Sequence, residues 1–401
     1  MITAPRHPAP AFRLAVDGVD ITPKVNNRLI SLTLTDNRGL EADQLDISLS
    51  DHDGRLSIPP RGAIINLWLG WSDTGLVNKG TYTVDETEHS GTPDVLTLRA
   101  RSADLRAGFT RKRERSWHGV TLADVVRTIA QAYSLQPVID LALGAVGLAH
   151  QDQANESDAN LLTRLATEHD AIASVKAGRL LLLPVGASQT ASGLALPHIN
   201  LTRKDGDGHR WLTADRNSYT GVRVYYYNPN SAERLEAIIG TEDNLKTLRH
   251  VAADQDSALQ AARSEWQRLQ RGSATLSYTL ARGRPDLLPE MTYSLHGIKQ
   301  QISDVVWLCS RVIHNVTDSG YTNSLELEQQ LASDDDLAAL VDEQYTGVVA
   351  WYRDEDGAQQ KVTEGDQASP LRLTHLYASK ASAERAVKRE WGRLEAPLGQ
   401  N

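Results

Sequence analysis

The sequence is short of residue types that usually stock a protein interior or cross-link it. Among 401 residues there are two Phe, two Met and one Cys. Cys309 has no partner in the chain, so an internal disulfide is excluded, as is a zinc site built from several thiolates. Cores must therefore rest on Leu, Val, Ile and Ala, with eight Trp and twelve Tyr as occasional large anchors. No uninterrupted apolar stretch approaches the roughly 20 residues that span a bilayer. The first ten residues also lack the apolar segment of a secretory signal. A formal charge of −9 argues against general nucleic-acid binding, which draws on positive charge. Gly-x-Ser-x-Gly, His-Glu-x-x-His, a phosphate-cradling Gly-Lys-Ser/Thr loop and Cys-x-x-Cys are all absent. These absences describe a soluble, cytoplasmically folded chain with no catalytic, cofactor-binding or metal-ligating residue to nominate.

What the sequence does have is alternation. Ile30, Leu32 and Leu34 alternate with Ser31, Thr33 and Thr35, and Leu45, Ile47 and Leu49 with Asp46, Ser48 and Ser50. This is the period of strands with one buried and one wet face. Turn signals at Asp17-Gly18, Asn37-Arg38-Gly39, Asp53-Gly54 and Pro59-Pro60 separate such runs. Further strands are expected at 64–71, 80–89 and 95–101, which together suggest an antiparallel barrel or sandwich. A helical pattern follows from Thr121, whose spacing to Asp124 is that of a capping box, and a second runs from Asp158 to His169. A strand is expected at 179–185. Alternation returns after Asp205, with one helix at 257–270 and strands at 274–280, 290–295, 305–316 and 321–327. The expected architecture is mainly β with α/β inserts. A first antiparallel β-barrel domain occupies 1–110, and a small α/β insert 111–200. A second β-barrel domain with one helix occupies 201–332, and a β-α module 333–401.

Two internal correspondences stand out. Tyr219-Thr-Gly-Val222 recurs as Tyr345-Thr-Gly-Val348, and residues 257–270 match 382–395 at seven of fourteen positions, including Glu265-Trp266 and Glu390-Trp391. His250 and His375 sit at the same offset as the two helices. The C-terminal module therefore repeats the 219–270 unit; two copies do not make a solenoid. More weakly, Tyr82 and His89 are spaced like Trp307 and His314, which suggests that the two β-domains are related.

Candidate chemistry is sparse. Asp51-His52-Asp53-Gly54 and Asp205-Gly206-Asp207-Gly208 faintly resemble calcium loops, but they lack the ligand spacing and distal Glu of the twelve-residue set and read as polar turns. Arg111-Lys-Arg-Glu-Arg115 could grip an acidic partner; a solvated connector is the plainer reading. The paired histidines and the Glu-Trp pairs read as packing and capping choices. Asp334-Asp-Asp336 reads as the charge set that favours a helix N-terminus.

Longer segments carry a resemblance. Phe12-Arg-Leu-Ala-Val-Asp-Gly-Val-Asp-Ile-Thr22, Arg28 to Asp36 and Glu41 to Gly54 resemble the opening of the phage late-control protein D family. Gly80-Thr-Tyr-Thr-Val-Asp85, Ser116 to Leu122 and Gln151 to Ala166 fit the same pattern, and the resemblance runs to about Leu331. It implies a contractile-tail hub, similar to the hub part of type VI secretion spike proteins. In such a hub, two tube-like barrels per chain form a homotrimeric, pseudo-six-fold ring in the virion baseplate. The expected partners are the trimeric tail spike protein, the tail tube protein, the tape measure and other baseplate proteins. Assembly is expected in the host cytoplasm. No specific nucleic-acid recognition, no membrane-spanning segment and no enzymatic activity are implied, and no helix-turn-helix supports the regulatory role in the family's name. The alternative is a tail-associated peptidoglycan-binding or peptidoglycan-hydrolysing protein, with 120–183 as a candidate wall-binding unit.

Overall fold

The computed structural model describes residues 8–102, 108–176, 178–190, 193–213, 219–227, 233–331, 347–353, 359–365 and 370–377, together with helical positions between 380 and 391. The chain opens with β1 (Pro10–Val16), β2 (Val19–Asp20) and the turn-length helix α1 (Thr22–Val25), then β3 (Leu29–Asn37), β4 (Gln44–Ser50), β5 (Ile64–Trp71), β6 (Gly75–Ser90) and β7 (Val95–Ser102). Next are β8 (Lys112–Thr121), α2 (Leu122–Ala132), β9 (Gln136–Ile139), α3 (Leu141–Gly144), β10 (Gly147–Ser157), α4 (Asp158–Glu168), β11 (Ala171–Lys176) and β12 (Arg179–Pro184). They lead to β13 (His198–Thr202), β14 (Gly206–Thr213), β15 (Gly221–Tyr227), β16 (Arg234–Gly240), β17 (Leu245–Ala252) and α5 (Gln255–Arg271). β18 (Ala274–Leu280), β19 (Thr292–His296), α6 (Gln300–Ser303), β20 (Trp307–Thr317) and β21 (Gly320–Gln329) complete the first of two compact units, which ends at Gln330. The second unit holds β22 (Gly347–Arg353), β23 (Gln359–Gly365) and β24 (Pro370–Tyr377).

The first unit is organised by one thirteen-stranded sheet whose main path runs β14-β18-β21-β20-β3-β4-β7-β6-β5-β1-β2. The alternation that marks these strands is used as it reads. Leu32, Leu34, Leu45, Ile47, Leu67 and Leu98 enter one core beneath β1–β7, while Ser31, Thr33 and Ser48 stay on the wetter face. A second core gathers Leu276, Tyr278, Leu295, Trp307, Val312, Leu325 and Leu327 beneath β18–β21. Burying each such side chain removes apolar surface worth about 2 kcal/mol. The structure is mainly β, and within this sheet one described pair departs from antiparallel order: β13 lies parallel to β19.

Between these β-regions, α2 and α4 pack Leu122, Val125, Ile129, Leu161 and Leu165 over β11 and β12. The Thr121 side chain and Asp124 form a complete capping box at the start of α2. The Arg111–Arg115 run is neither a solvated connector nor a free basic patch. Residues from Lys112 onward form β8, paired with β10, and the alternating Arg113 and Arg115 both meet the fully buried Asp158. Tyr133 Oη and Gln153 Nε2 also donate to Asp158, at 2.7 and 2.8 Å. One carboxylate thereby joins α2, α4 and the β8–β10 ribbon.

β15–β17 and α5 form a separate small layer, with Val222, Val224, Ala258 and Ala262 at its centre. In the second unit, Val348, Ala350, Ala383 and Val387 occupy the matching places, beside Trp391 as Trp266 lies in the first layer. Strand order is the same in both sheets, β16-β15-β17 and β23-β22-β24. Each has an irregularity in its parallel pair at the matching position, between Arg223 and Tyr225 and between Val349 and Trp351. His250 lies in β17 and His375 in β24, inside strands and not simply ahead of a helix. The expectation for Asp334–Asp336 falls outside the described residues.

Removing the Asp158 carboxylate takes the shared acceptor from Tyr133, Gln153 and two half-buried arginines. Asp158→Ala is expected to cost on the order of 3 kcal/mol, measured as a lower denaturant midpoint at unchanged slope.

Candidate functional site

The feature that sets this chain apart from two independent β-domains is the joint between β20 and β3. Seven residue pairs cross it in antiparallel register, from Arg311 opposite Asn37 to Thr317 opposite Ser31. Side chains lock the register. Arg311 Nε donates to Asn37 Oδ1 at 2.8 Å, and Thr33 Oγ1 donates to Asn315 Oδ1 at 3.1 Å. Trp71 Nε1 reaches the Gly283 carbonyl at 2.7 Å, and Arg282 lies 4.8 Å over the Trp71 ring. Gly283 cannot be replaced cheaply, because an added Cβ would sit 2.5 Å from the Tyr321 ring.

On either side of the joint lies a four-stranded sheet, β3-β4-β7-β6 and β14-β18-β21-β20. The two share an unusual detail. β6 bulges against β7 between Val84 and Glu86, and β20 bulges against β21 between Cys309 and Arg311. Measured from those bulges, Tyr82 corresponds to Trp307 and His89 to His314. His314 is fully buried, with Nδ1 2.8 Å from Tyr321 Oη and 2.7 Å from Asn323 Nδ2. Burial, and then the charge of Lys79, hold its pKa well below the ordinary histidine value. His89 instead stands at an open edge, bonded to Asp51 Oδ2 at 3.2 Å.

A cavity of about 560 Å³ opens beside the joint, with Ile172, Leu181 and Leu288 among its apolar lining. Four charges meet on its wall. Lys79, almost completely buried, lies 3.4 Å from Asp36 Oδ2 and 3.3 Å from the Leu287 carbonyl. Lys176, at the wetter side, reaches Asp36 Oδ1 at 3.2 Å and also bonds Asp43. Burial works against the Asp36 charge, but Lys176 and Lys79 outweigh it and hold the carboxyl below its usual range. Asp43 shares Lys176 with Asp36 and accepts the Asn37 amide at 2.9 Å, but burial, reinforced by the neighbouring Asp36 charge, outweighs both and pushes it up to about 6. The two carboxylates are thus tied to structural lysines that fasten β3, β6 and β11 together.

The remaining residues singled out in the sequence do not converge on one place. Asp53 pairs with Arg28 at 2.6 Å and Asp51 accepts from the Leu56 amide at 3.0 Å, as in an ordinary turn. Asp205 caps the Thr202 amide at 2.7 Å. Glu265 bonds Lys246 and Arg268, each at 2.6 Å. Lys79, Asp36 and Lys176 were not legible beforehand, because nothing local distinguishes a lysine whose partners lie far along the chain. Among the described residues, no group of three or more His, Cys, Asp or Glu is arranged to hold a metal ion, and no helix is long and apolar enough to cross a membrane.

The raised Asp43 pKa has a definite sign. Between the unfolded carboxylate value near 3.9 and about 6, the folded chain binds more protons than the unfolded one. Asp43 therefore contributes stability at the acid end that is lost as pH rises through this window. Relative to wild type, Asp43→Asn is expected to gain roughly 2 kcal/mol between pH 4 and pH 7. Urea unfolding of both proteins across that range gives the difference.

Comparison with known proteins adds family to geometry. The family profile described as phage tail baseplate hub (GPD) matches residues 47–320. A probable baseplate hub protein of Escherichia phage 186 is 43% identical, the match covering 81% of this chain and 94% of that protein. Its counterpart in Escherichia phage P2 is 40% identical over 80% of this chain and 94% of its own length. Among solved structures, the 43 kDa tail protein of prophage MuSo2 from Shewanella oneidensis shares the fold at a TM-score of 0.62 and 12% identity, covering 80% of this chain and 98% of that one. A tail protein from Neisseria meningitidis MC58 does so at 0.59 and 15%, covering 80% and 96%. The chain belongs to the phage tail baseplate hub (GPD) family, the hub proteins of contractile phage tails.

Proposed function

We propose that this hub acts as a homotrimer, without enzymatic activity, presenting six similar β-surfaces that join a six-fold tail tube to a three-fold spike. The observation that carries this reading is the pair of four-stranded sheets with the same pairing and the same bulge on either side of the β20–β3 joint. A chain with two equivalent surfaces converts three-fold symmetry into near six-fold symmetry when three copies close a ring. The wet face of these sheets suits an open passage, since Ser31, Thr33, Ser48, Thr97, Ser277, Thr279 and Ser324 stud it with short hydroxyls. The division into β-domains at 1–110 and 201–332, an insert at 111–200 and an appended module at 333–401 belongs to this reading. So do contacts with spike, tube, tape-measure and other baseplate proteins.

Hydrolysis of peptidoglycan is the competing activity. It needs two carboxylates free to act across a cleft, typically about 5–9 Å apart. Asp36 and Asp43, the pair on the cavity wall, are instead engaged by Lys79 and Lys176. A structural use of that pair takes these two carboxylates out of the chemistry.

Light scattering of the purified protein is expected to give a mass near 132 kDa, three times the 44.0 kDa of one chain, with ring-shaped particles in negative stain. The same preparation is expected to release no label from labelled cell wall. Label release that disappears in Asp36→Asn would overturn the structural assignment.

A further inference from the structure

The thirteen-stranded sheet ends awkwardly. β14 pairs only with β18, and its other edge meets no strand among the described residues. Asp207 to Thr213 are exposed on both faces. Trp211 and Leu212 stand 38% and 48% exposed there, an arrangement that proteins normally avoid at a free edge. A second open edge lies on β6. β5 accompanies β6 only from Gly75 to Thr83, so beyond Val84 no strand among the described residues covers that side, and Asp85, Glu86, Glu88, His89 and Ser90 are exposed.

The two open edges are the counterparts of the two edges that already meet in the joint. Glu86 and Arg311 each follow the bulge, and they pair with Arg99 and Glu326 respectively. Arg99 then pairs with Asp46, and Glu326 with Ser277. Asp46 pairs with Thr33, and Ser277 with Arg210. β6 therefore corresponds to β20, and β14 to β3, residue by residue. Burial agrees along the inner strands: Leu45, Ile47 and Leu49 are buried, as are Leu276, Tyr278 and Leu280.

We infer that the open edge of β6 from one copy pairs in antiparallel fashion with the open edge of β14 from the next, repeating the β20–β3 joint between chains. Because Asn315 faces Thr33 and His314 faces Leu34 inside the chain, Ser90 faces Arg210 and His89 faces Trp211 across the seam. Glu88 then faces Leu212, and Thr87 faces Thr213. Cross-strand neighbours support this register. On one face, Arg210 comes within diagonal reach of Glu88. On the other, Trp211 takes the position of Leu34, which is fully buried at the internal joint, so closing the seam covers the exposed indole. This inference rests on the ring proposed above and specifies its contact, down to the residue.

Opposed residues in an antiparallel pair bring Cα atoms about 4.5–5.5 Å apart, within disulfide reach. The full-length chain carrying Ser90→Cys and Arg210→Cys, with the buried Cys309 left in place, is expected to form covalent dimers and trimers on mild oxidation. The two-residue-shifted pair, Ser90→Cys with Leu212→Cys, is expected to give at least tenfold less. Trp211→Lys, a change at an exposed position, is expected to leave the far-ultraviolet circular dichroism spectrum unchanged while weakening association at least tenfold by light scattering. A trimer that yields no cross-link, or cross-links equally well in the shifted pair, or ignores Trp211→Lys, overturns the seam and leaves the ring standing. A wild-type chain that remains monomeric overturns both.

Discussion

Seven backbone pairs between β20 and β3 hold together segments that the chain keeps far apart. Thr33 and Asn315 are separated by 282 positions, so the ordering entropy of almost the whole first unit precedes their reward. Once made, the joint turns two curved sheets into a continuous one and places their bulges in equivalent settings. It also encloses the charges of Asp36 and Lys79, which water would otherwise solvate. Burial of Lys79 is tolerable only because a carboxylate and two backbone carbonyls surround its ammonium group. The joint and the ionic cluster thus depend on each other.

The insert and the small β15–β17 layer are secured differently. Asp158 acts as an internal rivet within the insert, while Arg271 at the end of α5 donates to Asp170 at 2.7 Å, tying the layer to the insert. These contacts are charge-assisted hydrogen bonds in partly or wholly dry places, the setting in which such bonds are strongest. The framework therefore combines hydrocarbon cores for cohesion with a few buried charges that fix relative position.

How much was legible in the sequence follows from which strands have two unlike faces. β5 and β18 were delimited to the residue, and α2 and α4 nearly so, because a buried stripe imposes a period on the sequence. The long β6 was read only from Gly80, since its first residues are exposed. β14, β16 and the β8–β10 ribbon carry no such apolar period, so nothing in their sequence separates them from connectors. The same cause hid the open edges, since residues awaiting a partner have no buried face within their own chain. The related histidines were visible as a spacing, but their unlike environments, one sealed and one open, depend on which edge is already occupied. The 219–270 repeat was visible because its anchors, Ala258 with Ala383 and Trp266 with Trp391, keep both identity and interval.

The distance between β3 and β20 also bears on how the protein is made. A ribosome adding about 5–20 residues per second needs roughly 15–55 s to travel from one partner to the other. Throughout that interval β4, β7 and β6 can assemble beside β3, while the far edge of β3 faces the cytoplasm without its mate. Neighbouring ribosomes on one message carry the same bare edge at the same stage. The short hydroxyl-bearing residues along the wet face of β3, Ser31, Thr33 and Thr35, make that nascent strand hydrophilic on the side it shows. The nascent β3 thus waits with one hydrophilic face, while its backbone edge stays open until β20 is made.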